Sequence, residues 1–102
     1  MTAETSTILI IDDDPAIVVG LRDALEKEQY RVLVCEDGKS GIGTAQRENP
    51  DLIVLDVDLP KIGGFDVCRE LRSQGFTAPV LILSSRTEQI DKVLGLEIGA
   101  DD

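Results

Sequence analysis

Carboxylates are the one kind of reactive side chain this sequence holds in quantity, and three short apolar runs gather them. Asp12, Asp13 and Asp14 stand in a row after Ile8-Leu9-Ile10-Ile11, and Asp56 and Asp58 follow Leu52-Ile53-Val54-Leu55. Ser84 and Ser85 close a third run, Val80-Leu81-Ile82-Leu83. Grouped carboxylates repel, by roughly 4 kcal/mol for two charges about 4 Å apart at an effective dielectric near 20. Three together need a counter-charge or must take up protons. Histidine is absent and Arg86 is the nearest basic candidate by sequence, so a divalent cation is the natural partner. Oxygen donors on one side of an open shelf suit Mg²⁺, which keeps several waters and takes further ligands from phosphate. A carboxylate beside such an ion, with a hydroxyl near it, has the parts for phosphoryl transfer, where charge neutralisation and positioning dominate. A carboxylate can itself be the nucleophile and become an aspartyl phosphate.

For these residues to meet, the chain must bring the ends of separate strands to one rim. The three runs above, and Val32-Leu33-Val34-Cys35, are about four residues long and apolar on both sides of the pleat. That pattern predicts strands covered on both faces, as in a parallel sheet. Between them lie stretches of helical spacing. Ile17, Val18, Leu21 and Leu25 form one stripe, Phe65, Cys68, Leu71 and Arg72 another, and Ile90, Val93, Leu94 and Ile98 a third. Lys39 to Glu48 is weaker, carrying Gly41 and Gly43, yet Ile42 and Ala45 can face a sheet. Asp14-Pro15 reads as an N-cap and first helical position, and Thr87-Glu88 as a similar start. Gly63-Gly64 reads as a turn. Strand and helix alternate four times, which with right-handed crossovers gives a doubly wound α/β fold. In such a sheet ligands bind beyond the carboxyl ends of the strands, where Asp12, Asp13, Asp56 and Ser84 are expected.

Composition removes several alternatives. One hundred and two residues, 42% of them hydrophobic, suit one domain with a true core. A net charge of −10 speaks against direct contact of this segment with nucleic acid or an anionic membrane. No apolar run reaches the ~18 residues of a membrane span, and MTAETSTILI lacks the basic start of a secretory signal, so a cytoplasmic location is expected. Without histidine there is no Cys/His zinc site and no Ser-His or Cys-His nucleophile pair. Cys35 and Cys68 are expected to be free, packed thiols.

ILIIDDDP, DLIVLDVDLPKIGGFD, APVLILSSR and LGLEIGADD occur in order over nearly all of the chain from Ile8 onward. Together they resemble the receiver domain of bacterial two-component response regulators. The resemblance implies a flavodoxin-like sheet, order 2-1-3-4-5, and phosphorylation by a partner histidine kinase. Asp56 then matches the phosphoacceptor, and Asp12 and Asp13 the acidic pair that holds Mg²⁺, with Asp13 the more direct ligand. Asp58 matches the position that lends a backbone carbonyl to the metal. Ser84 matches the hydroxyl that reorients toward the phosphoryl group, and Pro60 and Gly64 match the loop that shapes the backbone after the third strand. The stretch LGLEIGADD is similar to the winged-helix transcription-factor branch.

The family also carries a Lys and an aromatic residue on a fifth strand, which this sequence ends before; Lys61 and Lys92 do not match that Lys. The expected architecture is therefore order 2-1-3-4 without the fifth strand and fifth helix. Residues 1–6 would be a frayed start and 7–102 a receiver domain incomplete at its C-terminus. On this reading the chain is no enzyme beyond its own phosphoryl transfer and dephosphorylation. It is a switch read by an output domain or another protein on the face of the fourth strand and fourth helix. An uncovered fourth strand would favour dimers or domain exchange. Two other functions compete. Asp56-Val57-Asp58 resembles the nucleophile motif of haloacid-dehalogenase-like phosphohydrolases, although Leu59-Pro60 and its place on the third strand depart from that motif. A degenerate receiver used as a phosphate-independent interaction module is the other.

Overall fold

Residues apolar on both sides of a pleat call for cover from two directions, and each of the four runs does form a strand, the first and third of them buried on both faces. A computed structural model of the chain describes residues 5–59 and 62–83. Among these residues the order is β1 (Thr7–Ile11), α1 (Pro15–Lys27), β2 (Arg31–Cys35), α2 (Gly38–Glu48), β3 (Leu52–Asp56), α3 (Gly64–Ser73) and β4 (Val80–Leu83). All pairings are parallel, in the spatial order β2-β1-β3-β4 that the family resemblance implies.

Alternation along each strand divides the core in two. Leu9 and Ile11, Ile53 and Leu55, and Val80 and Ile82 point to one face, where Ala45 of α2 and Val67, Cys68 and Leu71 of α3 close over them. Ile8, Ile10, Val32 and Val54 point to the other, against Val18, Leu21 and Leu25 of α1. The two covers differ: α2 and α3 each bury several residues, whereas no residue of α1 is fully buried. At the end of the sheet remote from the acids, Thr7 N–H donates to Asp51 Oδ2 at 2.7 Å and Asp51 N–H to Thr7 O at 2.8 Å. Ser6 is held as well, its carbonyl accepting from Arg31 N–H at 2.9 Å.

The helix starts follow local chemistry. Asp14 caps α1 by accepting from Ala16 N–H, with Pro15 in the first turn, and Asp37 caps α2 by accepting from Ser40 N–H. The expected stripe on α3 needs correction. Phe65 is 53% exposed and does not share the buried face, which consists of Gly64, Val67, Cys68 and Leu71. Positions i, i+3, i+4 and i+7 counted from Gly64 line one side of a helix, and Phe65 lies about 100° away from that line. Arg72 is half-buried at the margin, where Nη1 donates to Phe76 O at 2.7 Å. Both cysteines are free, Cys68 buried and Cys35 half-buried with Sγ 3.3 Å from Thr44 Oγ1. The expected fourth helix, with its Thr87-Glu88 start and its stripe from Ile90 to Ile98, lies outside the described residues. No helix among the described residues is long and apolar enough to cross a membrane.

Glycine in α2 is a packing requirement. A Cβ placed on Gly41 would lie 2.4 Å from Ile11 Cδ1 and 2.8 Å from Ile11 Cγ1, so the helix reaches β1 only without a side chain there. Gly20, inside α1, has nothing within 4 Å of a Cβ. Alanine at the two positions should therefore act in opposite directions. Gly20→Ala is expected to stabilise by about 0.5–1 kcal/mol and Gly41→Ala to destabilise by about 1–3 kcal/mol, read as urea-midpoint shifts of opposite sign. A Gly41→Ala midpoint at or above the parent's would contradict this seating of α2 on Ile11.

Candidate functional site

The acids meet because of strand register. Ile11 of β1 pairs with Leu55 of β3, so the next residues, Asp12 and Asp56, leave adjacent strands at the same level. Parallel neighbours run only about 4.8 Å apart. The ladder continues one step beyond the apolar runs: Asp12 N–H donates to Cys35 O, and Val57 N–H to Leu83 O, both at 3.0 Å. Asp56 is itself the last residue of β3. Asp12 and Asp56 are buried, at 5% and 8% exposure, while Asp13 is exposed. One carboxylate oxygen from each of Asp12, Asp13 and Asp56 lies within 4.8 Å of the others.

Each buried carboxylate is fixed by the same local device. Asp14 N–H donates to Asp12 Oδ1 at 2.9 Å, and Asp58 N–H donates to Asp56 Oδ1 at 3.1 Å. Both are side-chain turns closing on the residue two further along, which aspartate forms readily. Asp14 thus has two tasks, since its own side chain caps α1. The Asp58 side chain is exposed, and its backbone N–H is what orients Asp56. The sequence reading took Asp14 as a helix cap and Asp58 as a carbonyl donor and missed the N–H that each gives to the aspartate two residues before it.

Burial dominates the electrostatics of the two carboxyls at the strand ends. Burial pushes the Asp12 carboxyl up to about 6, opposed by the Asp14 N–H and reinforced by the charges of Asp56, Asp13 and Asp14. Burial also raises Asp56, again opposed by a backbone N–H, that of Asp58, and reinforced by Asp58, Asp13 and Asp14. Arg22 pairs with Glu26, Arg31 with Glu48 and Arg69 with Asp66, each away from the cluster. A divalent metal fits this donor set. Its atoms are hard carboxylate oxygens, and their spread approaches the ~4.2 Å limit for two oxygens that each lie ~2.1 Å from one Mg²⁺. Asp12, Asp13 and Asp56 are the side chains that would hold it. Ser84, Ser85 and Arg86, and Pro60 and Lys61, lie outside the described residues.

Residues 8–102 match the family model of the response regulator receiver domain. The alkaline phosphatase synthesis transcriptional regulatory protein PhoP of Bacillus subtilis is 50% identical over 95 residues, covering 93% of this chain and 40% of PhoP. The transcriptional regulatory protein AfsQ1 of Streptomyces coelicolor is 44% identical over 96 residues, covering 94% of this chain and 42% of its own length. The chain thus spans about two fifths of these curated relatives. Among solved structures, the receiver domain of sensor histidine kinase PA1611 from Pseudomonas aeruginosa superposes with a TM-score of 0.77 at 28% identity. That match covers 84% of this chain and 72% of the other, which has a magnesium ion coordinated in its active-site cleft. Chemotaxis protein CheY4 of Vibrio cholerae matches with the same TM-score at 27% identity, covering 84% of this chain and 73% of its own.

The raised Asp12 carboxyl makes stability pH-dependent in a fixed direction. Between its ordinary value of 3.8 and about 6, the folded chain keeps a proton that the unfolded chain releases. This group's contribution is therefore full below the lower value and is lost as pH rises through the upper one. Asp12→Asn removes the charge and keeps an acceptor for Asp14 N–H. In EDTA, its stability gain over the parent should be larger near pH 7.5 than near pH 4.5, by roughly 1–3 kcal/mol. An equal gain at both pH values in chemical denaturation would show that Asp12 titrates as an ordinary carboxylate.

Proposed function

Because this chain belongs to the response regulator receiver domain family, we propose that it is a phosphorylation switch whose acceptor is Asp56. The phosphoryl donor is a histidine kinase and the reaction requires Mg²⁺. The observation that carries this reading is the convergence of Asp12, Asp13 and Asp56 within 4.8 Å at the carboxyl edge of the sheet.

The roles follow from where each group is held. Asp58 N–H restrains Asp56 Oδ1, which leaves Oδ2 to attack phosphorus. The new O–P bond forms as the P–N bond to the donor imidazole breaks, and its electron pair stays with the departing nitrogen. Asp12 and Asp13, with the Asp58 backbone carbonyl, are the groups that would hold the metal. When bound, Mg²⁺ neutralises the carboxylates and the incoming phosphoryl oxygens together. Without that neutralisation, a dianionic donor would approach an edge already negative on three sides. The acyl phosphate adds about two negative charges at the end of β3. The Ser84 hydroxyl, next in sequence after β4, bonds one of its oxygens and so alters the adjoining face, which the output reads.

The family is one of signalling domains, and both named curated relatives are transcriptional regulators. By extension, the output here is control of transcription in the cytoplasm, through a winged-helix domain outside these residues. We also propose self-association through β4, which lies at one side of the sheet among the described residues. A monomer that persists across concentrations in sedimentation would overturn that assignment.

The protein translated from its complete reading frame, incubated with Mg²⁺ and a small acyl phosphate, should gain one phosphate by intact mass. Asp56→Asn should abolish the gain, as should EDTA. Undiminished labelling of Asp56→Asn would refute the acceptor assignment, and sustained multiple-turnover hydrolysis of a phosphate ester would point to a phosphohydrolase instead.

A further inference from the structure

We infer that Gly64 is a positioning residue for the Asp56 carboxylate, by allowing α3 to rest directly on the backbone that carries it. This rests on the reading of Asp56 as acceptor and names a residue on which its geometry depends. A Cβ built on Gly64 would lie 2.5 Å from Asp56 O, 2.7 Å from Val57 Cα and 3.1 Å from Asp56 C. All three are backbone atoms, so no rotamer change relieves the overlap. Gly64 N–H also donates to Val57 O at 3.1 Å, fastening the helix start to the strand end. The need is for space and not for conformation, since Gly75 is the glycine with positive φ among the described residues. Gly63, one residue earlier, has only Val57 O at 3.8 Å, an ordinary contact.

The helix cannot easily retreat from an added methyl group. Val67 and Leu71, on the same side of α3 as Gly64, are completely buried. From the α2 side, Gly38 approaches so closely that a Cβ there would lie 2.6 Å from Val67 Cγ2 and 2.7 Å from Ile62 Cγ2. A methyl group at 64 must therefore displace the strand end, including the peptide that links Asp56 to Val57. That peptide leads into the turn whose Asp58 N–H restrains Asp56 Oδ1. The carboxylate then loses its alignment with Asp12 and Asp13.

The test uses the full chain carrying Gln29→Gly, which relieves a non-glycine residue at φ 72 and provides a folding margin away from the site. Gly64→Ala, Gly63→Ala and Val32→Ala are compared in that background; Val32 belongs to the core on the α1 face. Calorimetric Mg²⁺ affinity, the Asp58 amide resonance and Tm are read for each. Gly64→Ala should weaken Mg²⁺ binding about tenfold, while Gly63→Ala and Val32→Ala stay within about twofold even where Tm falls. The Asp58 amide should shift in Gly64→Ala alone. Parental Mg²⁺ affinity with an unmoved Asp58 amide in Gly64→Ala would overturn the inference. So would an equal loss of Mg²⁺ affinity in a Val32→Ala chain of matched Tm. A parent chain that binds no Mg²⁺ would instead overturn the proposed function, and the Asp58 amide would then decide the role of Gly64 by itself.

Discussion

Adjacent parallel strands ending in aspartate at the same level create a repulsion that the rest of this edge is built around. Register alone brings Asp12 and Asp56 together, and neither can move away without breaking the ladder at Cys35 or Leu83. Burial makes the repulsion worse by removing water from both carboxylates. Two backbone N–H groups offset part of the cost without changing net charge. A divalent cation held by Asp12, Asp13 and Asp56 would offset the remainder.

Coupling from this edge to the rest of the molecule runs unevenly. On one face, α2 and α3 lie in close contact with the strands, and α3 meets the Asp56 backbone with no side chain between them. On the other, α1 covers the sheet with side chains that remain half-exposed. Displacement of the β3 end is therefore transmitted first into α3, through atoms in van der Waals contact. Dense packing passes such shifts on with little loss.

Much of this was legible before any coordinates. Apolar runs bounded by turn residues marked β1 to β4 with boundaries within one residue, because doubly buried strands tolerate little else. The Asp14-Pro15 cap was equally plain. Phe65 misled because aromatic bulk suggests burial, whereas the helix turns that position outward and gives the inner side to Gly64 and Val67. The glycines were harder still. Gly63-Gly64 reads as a turn from composition, yet Gly63 caps α3 and Gly64 is its first residue. The resemblance placed Gly64 in the loop that shapes the backbone after the third strand, but why a side chain is barred there is evident only from its neighbours. The carboxylate cluster could be anticipated from strand order, but the matched Asp58 and Asp14 turns depend on backbone direction after each strand.

Helix α2 contains Gly38, Gly41 and Gly43 within eleven residues. Each lowers intrinsic helicity by about 1 kcal/mol relative to alanine, so the isolated segment would be a random coil. What keeps it helical is its seat, where Gly41 meets Ile11 and Gly38 meets Val67 with no side chain of their own between them. Its helicity is therefore borrowed from tertiary contact, and cutting it free of the sheet would cost it its shape.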